Sequence, residues 1–481
     1  MHKHPRITIP ALVLMLSLSC SMFTLDGTST PDAPVTIIPI ISDTPEPPAP
    51  STFTPAPTSL NPSGPYIVFE GSGGIWIANP DGSFLTRISE YEIEGSDLRR
   101  AISPTGDRLA LVVRNEVGLD LIEVKIPGGE TKIITRLLNI TPDDLVTQPT
   151  SPKAFASYAI TGYDGFVWQP GNGQLLAFIG ATNGPSADLY LYDTQTGNIT
   201  QLTDGPSQAI YPNWSPDGQY ILHYGVSWLP PFGGAIVGYT QLDGVWAVQV
   251  SDGKVINQPK PKGILDNFVG WQDDSHYLTF DGNNECYAEN LHTVDIVTGE
   301  VKSVMDLSFY YQIAQSPGNK AILFSGAAGC STSPGEGVFL LLPGQATPTR
   351  LLDKKAYEIN WLPESGVFQA YPEALFSPDG STRHDPPLYD KSYSPAISRN
   401  GYEAWEVIEN QQGRVEVKVP GANWQIILNG LVDELIWDPS TGDTLLIALG
   451  DGALYAASYP DFTPRPMGDL GGHVDQAIWL P

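Results

Sequence analysis

The stretch Ile210-Tyr-Pro-Asn-Trp214-Ser-Pro-Asp-Gly218-Gln-Tyr-Ile-Leu-His-Tyr224 decides how the chain is read. A short apolar run ends in Trp214, a four-residue turn follows, and a second apolar run starts at Tyr220. Proline presets φ at the second turn position, and Asp-Gly fills the positions that tolerate unusual φ. The segment is therefore two antiparallel strands joined by a tight turn. A third strand ends in an Asp-x-x-Thr-Gly turn, best seen in Leu189-Tyr-Leu-Tyr-Asp193-Thr-Gln-Thr-Gly197. A weaker fourth strand, Ile199-Thr-Gln-Leu202-Thr203, completes the unit.

The first turn recurs along the chain. Its other copies are Ile102-Ser-Pro-Thr-Gly106, Trp168-Gln-Pro-Gly-Asn172, Trp271-Gln-Asp-Asp-Ser275, Gln315-Ser-Pro-Gly-Asn319, Trp361-Leu-Pro-Glu-Ser365, Ile397-Ser-Arg-Asn-Gly401 and Trp437-Asp-Pro-Ser-Thr441. The chain ends on Ile478-Trp479-Leu480-Pro481, the start of one more. Measured at the Trp position, successive copies lie 66, 46, 57, 44, 46, 36, 40 and 42 residues apart. Four-stranded blades repeat every ~40–45 residues, with longer loops tolerated. The tryptophans read as core, because burying a large aromatic between blades is strongly stabilising.

These turns and the four-strand unit resemble the TolB-like, WD-repeat-like propeller family over residues 66–481. The resemblance implies an all-β fold, a single β-propeller. The repeat marks point to about eight blades, within a range of seven to nine, the unit at 361–397 being short enough to be a degenerate part of a neighbour. The first unit lacks an inner strand, since Tyr66–Phe69, Ile75–Ala78 and Leu85–Ile88 read as strands two, three and four. The last copy, Gln476–Trp479, is an inner strand with nothing after it. Pairing the two ends would close the ring and hide both edges. Ile478 is then expected in the same blade as Val68.

The composition agrees. The 48 Gly and 44 Pro disfavour long helices, and the 11 Trp, 21 Tyr and 16 Phe suit pleated, half-buried surfaces. The formal charge of -28 repels phosphate backbones, so no nucleic-acid partner is expected. Cations, basic proteins and neutral glycans are compatible partners, although the same charge can serve solubility alone.

Residues 1–20 read as an export signal. Lys3 and Arg6 form the basic start, and Ile7 to Ser19 is an uncharged run of 13 residues. A membrane span needs roughly 20, so the run fits a signal core. Leu16-Ser17-Leu18-Ser19-Cys20 resembles a bacterial lipoprotein box, although Ser17 stands where that family carries an aliphatic residue. The resemblance implies that Cys20 is acylated and becomes the first mature residue. An ordinary cleaved signal would instead give a secreted protein. Residues 21–65 follow as a Pro/Thr/Ser-rich tether, with 11 prolines between Pro31 and Pro65 and no Lys or Arg. Such a segment buries too little apolar surface to fold.

In a propeller, the connections between strands two and three share one end with the connections between blades. Long examples here are 138–165 and 225–243. The second carries Trp228, Phe232 and Tyr239, which with Tyr224 and Tyr163 make a candidate binding face for a protein or glycan. The competing reading of that loop is a self-packed plug over the channel. Cys286 and Cys330 fall in equivalent loops of consecutive blades and are expected to form a disulfide in an exported protein. Asp281-Gly-Asn-Asn-Glu285 has oxygen ligands that suit Ca²⁺ but no complete loop motif, so no cofactor is expected beyond that candidate. There is no Gly-x-Ser-x-Gly elbow and no His-Glu-x-x-His, and His223, His276, His292, His384 and His473 are scattered without metal-ligand spacing.

The expectation is a monomeric, exported binding or scaffold module, held to a membrane through an N-terminal lipid only. A hydrolase or lyase with carboxylates at the channel mouth, and a TolB-like envelope assembly or sensor protein, are the alternatives. Mass spectrometry of the mature N terminus checks the anchor. A diacylated Cys20 at position one is expected, and an unmodified start beyond Cys20 would exclude it.

Overall fold

The computed structural model describes residues 59–481 except 62, 63, 95, 229–240, 263–266, 284–286, 330, 331, 390 and 481. The export signal, Cys20, the Cys286–Cys330 pairing, Phe232 and Tyr239 therefore lie outside the described residues.

Almost all regular structure is antiparallel strand, in eight sheets among the described residues; one sheet of eight strands is two blades joined by the pair Ala288 and Phe309, so nine blades are counted. Blade 1 is built from both ends of the sequence, in the order Thr86–Ser89, Ile75–Ala78, Tyr66–Gly71, Val474–Leu480. Val68 lies opposite Ile478, as the repeat implied, and Tyr66 lies opposite Leu480. Blade 2 has three strands, Arg108–Asn115, Gly118–Lys125 and Thr131–Leu138. The helical turn Leu98–Ala101 and a single bridge from Ile102 to Leu109 stand in for its inner strand. Blade 3 starts at Phe166, blade 4 at Gln208, blade 5 at Phe268 and blade 6 at Phe309. Blade 7 starts at Glu358, blade 8 at Ser392 and blade 9 at Val432.

Nine lies at the upper end of the expected range, because the short unit is complete. Its strands Glu358–Leu362, Val367–Tyr371, Ala374–Phe376 and Arg383–His384 form a full sheet. It repeats after only 36 residues because its last two strands are three and two residues long. Residues 138–165 also differ from the expected loop, since they hold helices Pro142–Thr147 and Pro152–Gly162. The start signals are local. Thr141 and Asp144 form a capping box, Ser151 caps the second helix, and a proline opens each.

The turn Ser215-Pro-Asp-Gly218 has the chemistry expected of it. Asp217 Oδ1 accepts from Ser215 Oγ at 2.6 Å and from Gln219 N at 3.0 Å, and Gly218 sits at φ 70°. The tryptophans join blades. Trp168 Nε1 donates to Ala101 O at 2.8 Å, Trp214 Nε1 to Val167 O at 3.0 Å and Trp437 Nε1 to Ala396 O at 3.2 Å, each reaching back into the preceding blade. These three are buried, whereas Trp271, Trp361 and Trp479 are half-buried.

First strands of neighbouring blades touch in blades 3 and 4, 5 and 6, 6 and 7, 8 and 9, and 9 and 1. The helical turn of blade 2 touches the first strands of blades 1 and 3. Blades 4 and 5 are joined by Tyr224 Oη donating to Asn267 Oδ1, and blades 7 and 8 by Ile397 N donating to Ser365 Oγ. Contacts thus run from blade to blade and return to the start, with first strands innermost. Arg99 of blade 2 also pairs with Glu364 of blade 7, so side chains from non-adjacent blades meet within the ring. Among the described residues, no helix is long and apolar enough to cross a membrane.

Ile478→Ala should cost about 2–4 kcal/mol in urea unfolding, because its side chain is buried at the seam. Removing residues 474–481 should go further, leaving one edge of the strand Tyr66–Gly71 unpaired and the protein aggregated by light scattering.

Candidate binding face

The meander of each blade gives the ring two ends. The turn end carries the connections between strands one and two and between strands three and four. The loop end carries the connections between strands two and three and those between blades. On the turn end the links are short, as at Ser215–Gly218. On the loop end they include the helices of residues 142–162 and the segment 90–97.

Three of the five aromatic candidates can be placed. Tyr163 follows the helix Pro152–Gly162, and its ring meets Tyr211 edge-on at 5.4 Å. Tyr211 in turn meets Tyr224 edge-on at 6.3 Å. Tyr224 is buried, and its hydroxyl donates to Asn267 Oδ1 at 2.9 Å, so it joins blades 4 and 5 rather than facing outward. Tyr163 and Tyr224 are thus brought together through a residue the sequence did not single out. Tyr211 sits at φ 53° on the bulged first strand of blade 4, and its N–H donates to Tyr163 O at 3.1 Å. Trp228 ends the second strand of that blade at the loop end.

The loop end of blades 6, 7 and 8 carries a tyrosine patch that the sequence reading missed. Tyr311, Tyr357 and Tyr389 are exposed by 41%, 61% and 50%. Tyr371 and Tyr393 pack against each other with ring centres 5.9 Å apart. The available signal was positional, because these tyrosines fall where blades begin and end rather than at the repeat mark.

Carboxylates at the loop end fall into separate sites. Glu70, at the end of the strand Tyr66–Gly71, accepts from Ile93 N at 3.0 Å. Burial pushes its carboxyl up to about 7, with Asp475, Glu92 and Asp97 adding to the rise. Asp188 of blade 3 accepts from Thr203 Oγ1 at 3.1 Å and Gly205 N at 3.2 Å, and burial, with Asp204 nearby, raises its carboxyl above the ordinary value. The charged neighbours of Glu70 are not those of Asp188.

The histidines are equally dispersed. His223 is buried against Trp246, ring centres 5.7 Å apart, and burial lowers it to about 4. His276 meets Asp273 at 2.9 Å, His384 meets Glu403 at 3.2 Å, His473 meets Asp433 at 3.2 Å, and His292 lies 2.6 Å from Asn290 O. Among the described residues, no histidine is hydrogen-bonded to a hydroxyl or thiol nucleophile. Nor do three His, Cys, Asp or Glu side chains converge as metal ligands among them. Within the Ca²⁺ candidate segment, Asp281 Oδ1 accepts from Lys262 N at 3.0 Å.

A ring of four-stranded antiparallel blades whose ends pair in one sheet is a β-propeller. No family model matches the chain. The "Uncharacterized peptidase YuxL" of Bacillus subtilis (strain 168) is 46% identical over 55 residues, a match that spans 11% of this chain and only 8% of that protein. Among solved structures, the fold is similar to Porphyromonas gingivalis dipeptidyl peptidase 4, at 10% identity and a TM-score of 0.44 over 76% of this chain and 59% of that one. It is similar to an oligogalacturonate lyase in complex with manganese, at 13% identity and a TM-score of 0.35 over 62% and 74% of the two chains. It is also similar to TolB from Acinetobacter baumannii, at 15% identity and a TM-score of 0.27 over 78% and 82%. These likenesses are of fold.

Glu70 holds its proton more tightly in the folded chain than its ordinary value of 4.5 allows. Its contribution to stability is therefore full below about pH 4.5 and lost as pH rises through about 7. Glu70→Gln should be more stable than the parent at about pH 8, by up to about 3 kcal/mol. That difference should vanish below pH 4.5, read from urea midpoints across pH.

Proposed function

We propose that the chain is an exported, lipid-anchored propeller that binds a protein or glycan through its loop end, without catalysis. The supporting observation is where the tether meets the ring. Asn61 N donates to Asn79 Oδ1 at 3.0 Å, and Asn79 Nδ2 donates to Ser59 O at 3.3 Å. Tyr66 Oη donates to Asn61 O. Asn79 opens the turn between the strands Ile75–Ala78 and Thr86–Ser89, which lies at the turn end. Ser59 and Asn61, at the described end of the tether, thus lie at the end opposite the long connections. A chain held through that segment leaves its loop end open to a partner.

Charge supports the same reading. A net charge of -28 suits a basic protein or a neutral glycan, and it opposes nucleic acid and anionic lipid surfaces. The lipid would hold the chain to the membrane while the ring stayed in solution as a monomer. Dispersed histidines and unshared carboxylates support binding over catalysis, because general acid–base work needs groups within reach of one substrate atom.

Surface substitutions at the two ends separate the readings. Val117→Arg and Leu431→Arg, both exposed at the loop end, should abolish partner capture by the full chain. Val297→Arg and Tyr459→Ala, exposed at the turn end, should leave it unchanged. Capture that is lost only in the turn-end variants would reverse the assignment. Turnover of a substrate that Glu70→Gln abolishes would favour a hydrolase or lyase instead.

A further inference from the structure

We propose that the tyrosine patch at the loop end of blades 6, 7 and 8 is a subsite for a neutral polysaccharide, whose sugar rings stack on Tyr357 and Tyr389. The inference rests on the reading of the loop end as the binding face and names the class of partner.

The patch is continuous. Lys354 and Lys355 lie in the connection from blade 6 to blade 7. Lys355 Nζ sits 5.4 Å from the centre of the Tyr310 ring, and Lys354 Nζ sits 4.8 Å from that of Tyr389. Tyr389 Oη donates to Glu373 Oε1 at 2.9 Å, and Lys354 Nζ lies 4.0 Å from Glu373 Oε2. Two residues on, Tyr357 N donates to Tyr371 O at 2.8 Å, and Tyr371 packs on Tyr393 of blade 8. Residues from three blades are thereby tied into one surface, in which Tyr311, Tyr357 and Tyr389 are the most exposed tyrosines.

Composition selects the occupant. Among the described residues from 309 to 393, every large apolar side chain that is exposed is a tyrosine. The exposed aliphatics, such as Ile133, Val146, Val301 and Ile426, lie in other blades or connections. Protein interfaces are depleted in Lys and Glu at their cores, whereas this patch interleaves Lys354, Lys355 and Glu373 with its tyrosines. A surface of flat rings with hydroxyl tips instead matches a ligand of flat, hydroxylated rings, which stacks through its C–H face and hydrogen-bonds at its edge. Such a surface costs little conformational entropy to present, because a tyrosine has two side-chain torsions.

Charge selects between sugars. Lys354 is already paired with Glu373, so the patch offers a polyanion little unpaired positive charge beyond Lys355. The net charge of -28 repels a polyanion at long range. A neutral chain meets neither penalty, and the ammonium and carboxylate groups can hydrogen-bond its hydroxyls.

The test uses the full chain in affinity electrophoresis and calorimetry against soluble β-glucan, xylan and galactomannan, with polygalacturonate as the charged arm. Retention by at least one neutral polysaccharide is expected. Tyr357→Ala and Tyr389→Ala should each weaken it about tenfold, and together abolish it. Tyr459→Ala, an exposed tyrosine at the turn end, should have no effect. Retention by polygalacturonate alone, by no polysaccharide, or undiminished in the double variant would overturn the inference. If a protein partner is captured in a Leu431-dependent way while no polysaccharide binds, only the sugar inference fails. Capture of neither would end the binding reading as well.

Discussion

The pairing of Val474–Leu480 with Tyr66–Gly71 is the constraint on which the rest of the structure depends. Every other blade is a local meander, and a local meander can form without fixing the position of its neighbours. Here the two segments must meet across six residue pairs, with a bulge at Asp475, before blade 1 is complete and blades 2 and 9 are flanked on both sides. Closure removes the exposed edges that a row of strands would otherwise offer for association. It also carries a kinetic cost, because the contact joins positions about 400 residues apart and its loop entropy must be overcome.

Within the closed ring, the blades are held by a device used repeatedly. An indole from the first strand of one blade donates to a backbone carbonyl of the preceding blade, as Trp168, Trp214 and Trp437 do. Each buries a large ring and satisfies a carbonyl in the same step. Where the device is missing, other groups serve. Tyr224 and Asn267 join blades 4 and 5, and Arg100 of blade 2 donates to Phe166 O and Pro212 O in blades 3 and 4. The framework can therefore vary blade by blade while the loop end carries whatever connections a partner requires.

Two environments divide the loop end. Around blades 1 and 2, burial raises the Glu70 carboxyl, and Asp475, Glu92 and Asp97 add to the rise. Around blades 6 to 8, tyrosines lie among Lys354, Lys355 and Glu373, the first lysine paired with the glutamate. Local composition rather than fold distinguishes these regions, which is why a propeller alone says little about activity.

Turn chemistry and apolar periodicity are local, so the sequence by itself determined the strands, the Ser-Pro-Asp-Gly turns and the seam that pairs Val68 with Ile478. Unpaired first and last strands identify each other whatever lies between them. The blade count was less legible, because a blade ending in a two-residue strand is too brief to register as a period. The helices at 142–162 were legible in their Thr-Pro and Ser-Pro starts but were masked by the strand-rich setting. Only the tertiary structure decided the candidate site. It buried Tyr224 between blades, set Tyr211 beside Tyr163, and gathered Tyr357, Tyr389 and Tyr393 from two blades onto one surface. No pattern in sequence predicts that gathering, because residues far apart in the chain become neighbours only when the ring stacks their blades side by side.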